Sequence, residues 1–87
     1  LGLYNSAKLN MSLYPVPAKN ELTVELNDLN EYEISLYNSL GQLIKVPNTI
    51  ISNNKVVLNT SSLVDGLYFV DLSKGAIKDT RKIIVKH

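Results

Sequence analysis

Short segments in which apolar and polar residues alternate constrain the fold of this chain more than any other feature. Residues 21–26 place leucine or valine at every second position, with glutamate or threonine between them. Because successive side chains of a β-strand point to opposite faces, this alternation gathers the apolar side chains on one face. Residues 32–37 and 81–86 alternate in a similar way. These segments predict strands with one face in a core and the other face outward.

The strongest strand signal lies in residues 66–72, Gly-Leu-Tyr-Phe-Val-Asp-Leu. These residues are mostly aromatic, β-branched or aliphatic and include no proline, which is typical of a strand. Tyr68, Val70 and Leu72 are expected to share one face, and the opposite face is also apolar until Asp71. A strand that is apolar on most of both faces is covered on both sides, so we expect this segment to be a central strand.

Turn residues separate the candidate strands at regular intervals. Pro15 and Pro17 interrupt the first strand, because proline lacks the N–H group that a sheet ladder requires. Residues 38–41, Asn-Ser-Leu-Gly, predict a hairpin loop in which Gly41 takes a positive φ. Residues 42–46 are expected to form the return strand, which Pro47 ends.

The second half of the chain continues the pattern. Residues 55–58 predict a short strand, whereas residues 48–54 give no clear signal beyond a turn at Asn53 and Asn54. Residues 60–65 predict a helical turn with Leu63 as its inward anchor, and the last strand is expected to start at Thr80. About seven short strands at regular spacing predict an all-β fold, an antiparallel immunoglobulin-like β-sandwich. The chain has no Cys…Trp…Cys signature, so it is not a true antibody-type domain.

The composition of the chain limits both its protein class and its possible partners. The 87 residues make one domain, with residues 1–10 expected as a linker or entry segment and residues 11–87 as the sandwich. A formal charge of +1 does not favour nucleic acid as a partner. No apolar run approaches the roughly 18 residues of a membrane span. Because the chain begins at Leu1, we expect it to be a piece of a longer precursor, with any export signal upstream.

The chain has few residues of the types that usually serve catalysis or metal binding. The absence of cysteine excludes a disulfide scaffold, a thiolate metal site and a cysteine nucleophile. His87 is the only histidine, so no Ser-His-Asp arrangement exists, and its position predicts a mobile imidazole. Glu31 and Glu33 share an outward strand face about 7 Å apart, a distance that a glycosidase pair could have, but a solvated sheet face is the favoured interpretation. Residues 28–31 offer oxygen ligands for calcium, but an ordinary turn is favoured over a calcium site. We therefore predict no enzyme activity, no catalytic residue, no cofactor and no metal.

Three segments, in this order and spacing, resemble a known family. They are residues 13–22 with Tyr14-Pro15-Val16-Pro17, residues 37–43 around Gly41, and residues 63–86 with Gly66-Leu67-Tyr68-Phe69-Val70 and the closing Lys82-Ile83-Ile84-Val85-Lys86. Together they are similar to the type A C-terminal sorting domain of type IX secretion substrates. This family consists of small β-sandwich modules at the ends of secreted and surface proteins. The resemblance covers residues 11–87.

The resemblance identifies two groups of residues. The family motif positions are Tyr14, Pro15, Pro17, Gly41, Gly66, Tyr68 and Val70. The family's signal is concentrated at its end, which here implies Lys82, Ile83, Ile84, Val85 and Lys86 as the sorting signal. One position departs from the family, because Val16 stands where asparagine is usual between the two prolines. Asparagine can cap a turn with its side chain and valine cannot.

The resemblance also implies a function. The domain is expected to direct a covalently linked upstream passenger through the type IX machinery of the outer membrane. A surface sortase is then expected to cut within residues 1–10 and to release the passenger or join it to surface lipopolysaccharide. The implied location is the periplasm in transit, followed by the cell surface or the medium. Recognition of a final strand at a sheet edge by strand addition fits this role.

Two other functions compete with sorting. A carbohydrate-binding or fibronectin-like adhesive module uses exposed aromatic residues or a calcium site, and this chain has no tryptophan. Outward Tyr37 and Phe69 are its candidate binding patch. A passive spacer between domains is the third possibility, and it would tolerate an extension after His87, whereas a terminal signal would not.

Overall fold

The computed structural model describes residues 5–6 and 8–87. Nine strands and one short 3₁₀ turn, Leu29–Glu31, lie along these residues. The strands are β1 (Asn5–Ser6), β2 (Ser12–Tyr14), β3 (Glu21–Glu25), β4 (Glu33–Asn38), β5 (Leu43–Ile44), β6 (Asn48–Ser52), β7 (Lys55–Asn59), β8 (Gly66–Lys74) and β9 (Ile77–Val85).

The strands form two sheets. One has the order β1-β9-β8-β4-β5, and the other has the order β2-β3-β7-β6. Every described pair of neighbours is antiparallel except β1 and β9, which run parallel. This arrangement confirms the all-β fold and the antiparallel β-sandwich. The immunoglobulin-like connectivity stays a prediction.

The core is built from the alternate residues that the sequence placed inward. Leu22 and Val24 of β3 are fully buried, as are Val70 and Leu72 of β8 and Val85 of β9. The strand β8 is central, as predicted, because β9 and β4 flank it on either side. Burial of this apolar surface is the main force that holds the two sheets together.

Leu29 is a core residue that the sequence did not predict. It lies in a polar turn, yet its exposed fraction is 1%. Asp28 precedes it in the left-handed conformation, with φ 59°, which turns the chain sharply. The Leu29 N–H donates to the Leu26 carbonyl oxygen at 3.1 Å. The turn therefore closes one end of the core with an apolar side chain.

Two predicted segments differ from the observed elements. The return strand over residues 42–46 is only two residues long, β5, because by Pro47 the chain has joined the other sheet. The Pro47 carbonyl oxygen accepts from the Asn59 N–H of β7 at 2.8 Å. The undetermined residues before Asn53 form β6, the exposed edge strand next to β7.

The predicted helical turn and the start of the last strand also differ. Residues 60–65 form a non-helical turn, although Leu63 does pack against the core. The last strand begins at Ile77, three residues before Thr80, because β8 and β9 pair over nine residues from Gly66–Val85 to Lys74–Ile77. The sheet register, which a local pattern does not contain, determines that length.

The strand β9 is covered at both ends of its outer edge. At its start β1 pairs with Ile77 and Lys78. At its end the Ala18 N–H donates to the Ile84 carbonyl oxygen at 2.7 Å, and the Lys86 N–H donates to the Ala18 carbonyl oxygen at 2.8 Å. Both ends of this outer edge are therefore occupied. Only the middle of the outer edge, around Thr80 and Lys82, remains open among the described residues.

We expect the substitution Leu72→Ala to lower the free energy of unfolding by about 2–5 kcal/mol, because it leaves a cavity in the core. The matched substitution Leu40→Ala removes the same atoms from a side chain that is 81% exposed. We expect its effect to stay within about 0.5 kcal/mol. Urea denaturation of the two variants measures the difference. Equal losses would contradict the assignment of Leu72 to the core.

We expect amide hydrogen exchange to distinguish the hydrogen-bonded N–H groups on the outer edge of β9 from the open ones. The Lys86 N–H bonds to Ala18, so it should exchange slowly. The Lys82 N–H points to the same outer edge, because residues two apart in a strand point the same way, and no described residue accepts it. It should exchange fast. NMR-detected exchange checks the order of the two rates, and a slower Lys82 would contradict this pairing.

Candidate functional site

The motif segments meet at one end of the sandwich. Asn38 pairs with Tyr68, and Tyr68 pairs with Ile83, so the loop after β4 lies at the end where β8 begins and β9 finishes. Gly66 pairs with Val85 at this same end, and Ala18 bridges Val85 from the other side. We call this region the β9 end. It comprises residues 15–18, 38–42, 60–66 and 82–87, and it contains residues from all three motif segments.

Hydrogen bonds hold the last residue in place. The His87 N–H donates to Asp65 Oδ1 at 2.9 Å. The ring Nε2 lies 2.6 Å from the Leu63 carbonyl oxygen. Because a carbonyl oxygen only accepts, Nε2 carries the proton in this contact. The ring is exposed but bonded to the turn before β8, and the mobility of the imidazole stays a prediction.

The turn before β8 is anchored in the other sheet. Thr60 is fully buried, its N–H donates to the Asn20 carbonyl oxygen at 2.9 Å, and its hydroxyl donates to the Lys19 carbonyl oxygen at 3.1 Å. The buried Tyr68 ring adds a second anchor, because its hydroxyl donates to the Val64 carbonyl oxygen at 2.8 Å. These bonds explain the motif position Tyr68 as a structural one that fixes the turn against β8.

The hairpin loop after β4 depends on Asn38. Its Oδ1 accepts from the Leu40 N–H at 2.9 Å and from the Gln42 N–H at 3.0 Å. Gly41 has φ 81°, a conformation that L side chains rarely adopt, and its N–H donates to the Asn38 carbonyl oxygen at 3.0 Å. The motif glycine is thus required by the turn itself, as the sequence predicted.

The proline motif is held at its two flanks. The Tyr14 hydroxyl donates to Glu25 Oε1 on β3 at 2.8 Å, and buried Ala18 binds the end of β9. Between them Pro15 and Pro17 are exposed, and Val16 is 51% exposed. The departure from asparagine at position 16 therefore places an apolar side chain on the surface of the β9 end.

The five predicted signal residues divide between two faces of β9. Ile83 and Val85 are 1% and 0% exposed and belong to the core. Lys82, Ile84 and Lys86 are exposed on the opposite face. Only these three of the five are able to touch a partner while the domain is folded. Val70 is buried like Ile83, so this motif position also serves packing.

Apolar side chains lie beside two of the outward residues. In the β8–β9 register Phe69 stands beside Lys82, and Leu67 stands beside Ile84, which is 44% exposed. The loops of the β9 end add Leu40 and Val64, which are 81% and 76% exposed. The sequence pattern did not predict Leu40 and Val64 as surface residues, because a single apolar residue in a turn is typical of both anchors and exposed positions.

Away from this end the outer face of the β8 sheet is polar. Asp71 is buried there and accepts from the Thr80 hydroxyl at 2.8 Å, with Lys78 Nζ 3.7 Å from its Oδ2. Lys74 Nζ lies 2.6 Å from Glu31 Oε1, and this hydrogen bond and the Glu31 charge raise the pKa of Lys74. These contacts pair the charges of this polar face with one another.

The described residues contain no cluster of three histidine, cysteine or acidic side chains arranged to hold a metal. Within the same part of the chain, no helix has the length and apolar character needed to cross a membrane.

Residues 12–86 match the family model described as the secretion system C-terminal sorting domain. The match begins at the first residue of β2 and ends one residue after β9, so it spans every described strand except β1 and the whole β9 end except His87. None of the curated proteins compared with the chain matches it significantly. The match extends over nearly the whole chain and agrees with the β-sandwich fold. The chain therefore belongs to the family of C-terminal sorting domains of type IX secretion.

Proposed function

We propose that the outward face of β9 at the β9 end is the surface through which the type IX machinery recognises this sorting domain. The family match carries the proposal, because it supports a type IX sorting signal and export of an attached passenger. The structure supports the choice of surface, since Lys82, Ile84 and Lys86 are exposed and have no role in the core. No catalytic role is proposed.

The geometry suits recognition by side chains. Residues two apart in a strand lie about 6.7 Å apart, so Lys82 and Lys86 present two positive charges about 13 Å apart with Ile84 between them. A complementary partner surface would carry two acidic groups on either side of an apolar contact. Because Ala18 holds the main chain of Ile84 and Lys86, the direction of both side chains is largely determined before binding.

Strand addition to β9 is less favoured than the sequence implied. The partners β1 and Ala18 already occupy the two ends of its outer edge. Between these two contacts, only Thr80 and Lys82 direct main-chain groups to the outer edge, so an added strand would gain few hydrogen bonds. The proposed contact is therefore made by the exposed face of the strand.

The later steps follow from the same proposal. The passenger crosses the periplasm, and the domain then takes it through the outer-membrane machinery to the cell surface or the medium. A surface sortase cuts upstream of the sandwich, within residues 1–10, and releases the passenger or joins it to surface lipopolysaccharide. The linker at residues 1–10 and the sandwich at residues 11–87 define the two parts of the chain for this purpose.

Deleting residues 80–87 would not test the surface, because the deletion also removes buried Ile83 and Val85 and so damages the core. The pair Lys82→Ala and Lys86→Ala removes both outward charges and leaves the core intact. The matched control is Lys45→Ala and Lys55→Ala, which removes two lysines near β5 and β7.

We expect the Lys82→Ala, Lys86→Ala pair to lower export of a fluorescent reporter about tenfold in a type IX-competent host, the effect of losing about 1.4 kcal/mol of contact free energy. The reporter carries an upstream signal peptide and the full chain. The measurement is the ratio of reporter at the surface and in the medium to reporter in the periplasm. Export of the control pair should equal that of the unchanged domain. Equal export of both pairs would contradict the proposed surface, and periplasmic retention of the unchanged, folded domain would contradict sorting by this chain.

A further inference from the structure

Two charged residues of β9 hold the main chain of the entry segment. The Leu9 N–H donates to Asp79 Oδ2 at 2.8 Å, and Arg81 donates from its terminal nitrogen to the Leu9 carbonyl oxygen. The two side chains also bind each other, with Arg81 Nη2 2.9 Å from Asp79 Oδ2. Both polar groups of the Leu9 main chain are therefore occupied by one ion pair on the last strand.

The pair stands on the face of β9 where core residues are expected. Asp79 and Arg81 are opposite Leu72 and Val70 of β8, which are both fully buried. The side chains of Asp79 and Arg81 are only 9% and 26% exposed. A buried charge is costly unless its hydrogen bonds are satisfied, and Leu9 supplies part of that satisfaction. No buried side-chain nitrogen or oxygen in the described residues lacks a partner.

Leu9 also marks the point at which the chain becomes packed. Lys8 is exposed, Leu9 packs against the core, and Met11 is 8% exposed. The strand β2 of the second sheet follows at Ser12. The Asp79–Arg81 pair thus acts where the incoming chain crosses from the side of one sheet to the other.

We propose that the Asp79–Arg81 pair couples the position of the entry segment to the position of β9 in its sheet and shields the Lys8–Leu9 peptide bond from proteolysis. We call this pair the clamp. A protease must bind a segment in its own extended groove, so it acts mainly on locally opened states. The Leu9 N–H belongs to the scissile bond itself, and its hydrogen bond to Asp79 must break before that bond is cut. Before Leu9 can move away from β9, the charge-assisted hydrogen bonds of the clamp must therefore break.

The coupling acts in both directions. If β9 shifts, Asp79 and Arg81 move with it, and the Leu9 main chain loses both partners. A partner that binds the outward face of β9 and displaces the strand would then open the entry segment to a protease. This consequence rests on the proposed function. In a sorting domain it would join recognition of the signal to cutting of the chain upstream of the sandwich.

The test is cleavage after Lys8 by a lysine-specific protease, measured on the purified chain by mass spectrometry. The variant Asp79→Val, Arg81→Val removes both charges together, so neither is left unpaired, and a buried ion pair replaced in this way often costs little stability. We expect the rate of cleavage after Lys8 to rise about tenfold or more, from the loss of hydrogen bonds to charged groups. The rates after Lys19 and Lys55 should stay within about twofold.

The matched control is Thr80→Val, which lies between the two clamp residues but removes the outward bond to Asp71. It should leave the ratio of cleavage after Lys8 to cleavage after Lys55 unchanged. A purely structural role for the ion pair would raise all the rates together, and that result would overturn the proposal. So would an unchanged rate after Lys8. Neither outcome depends on export, so failure of the clamp and failure of the proposed function are separable.

A double-variant cycle tests the link to β9. The substitution Ile83→Ala loosens the packing of β9 from the core side and removes neither of the two hydrogen-bond partners of Leu9. In the unchanged background it should raise the Lys8-to-Lys55 cleavage ratio. In the Asp79→Val, Arg81→Val background the same substitution should leave that ratio unchanged, because the clamp is already absent. Additive effects on the ratio would overturn the proposed coupling between β9 and the entry segment.

Discussion

The pairing of β8 with β9 is the interaction on which the rest of the structure depends. It runs without a break from Gly66–Val85 to Lys74–Ile77 and is the longest ladder of the described sheets. It buries Ile83 and Val85 on one face and leaves Lys82 and Ile84 on the other. Because side chains alternate strictly, a slip of one residue would exchange these two sets. The same register therefore determines both the core and the outward surface.

Contacts from distant parts of the chain keep β9 in place. The Ala18 main chain bonds to one end of its outer edge, β1 pairs with the other, and the turn before β8 binds His87. The Asp79–Arg81 pair binds Leu9 from the inner face. In the coupling proposed above, these few hydrogen bonds connect the entry segment with β9.

Local patterns were sufficient for the fold class and much of the core. Alternation over residues 21–26 and 66–72 predicted the inward residues of β3 and β8, and the Asn38–Gly41 loop followed from turn chemistry. They were insufficient for Leu29, whose buried position in a polar turn is set by the neighbouring strands. The lengths of β5 and β6 also depend on which sheet the chain joins after Ile44.

For this protein, the sequence by itself determined the alternating strands, the turn positions and the motifs of the sorting-domain family, because these depend on residues close together in the chain. Alternation over residues 81–86 already predicted that Lys82, Ile84 and Lys86 point outward, but only the tertiary structure decided that they lie beside the loops of the β9 end. It alone decided that Ala18 covers one end of β9 and that Asp79 and Arg81 bind Leu9. These contacts join residues separated by about 70 positions, and sheet packing, which no local pattern encodes, brings them together.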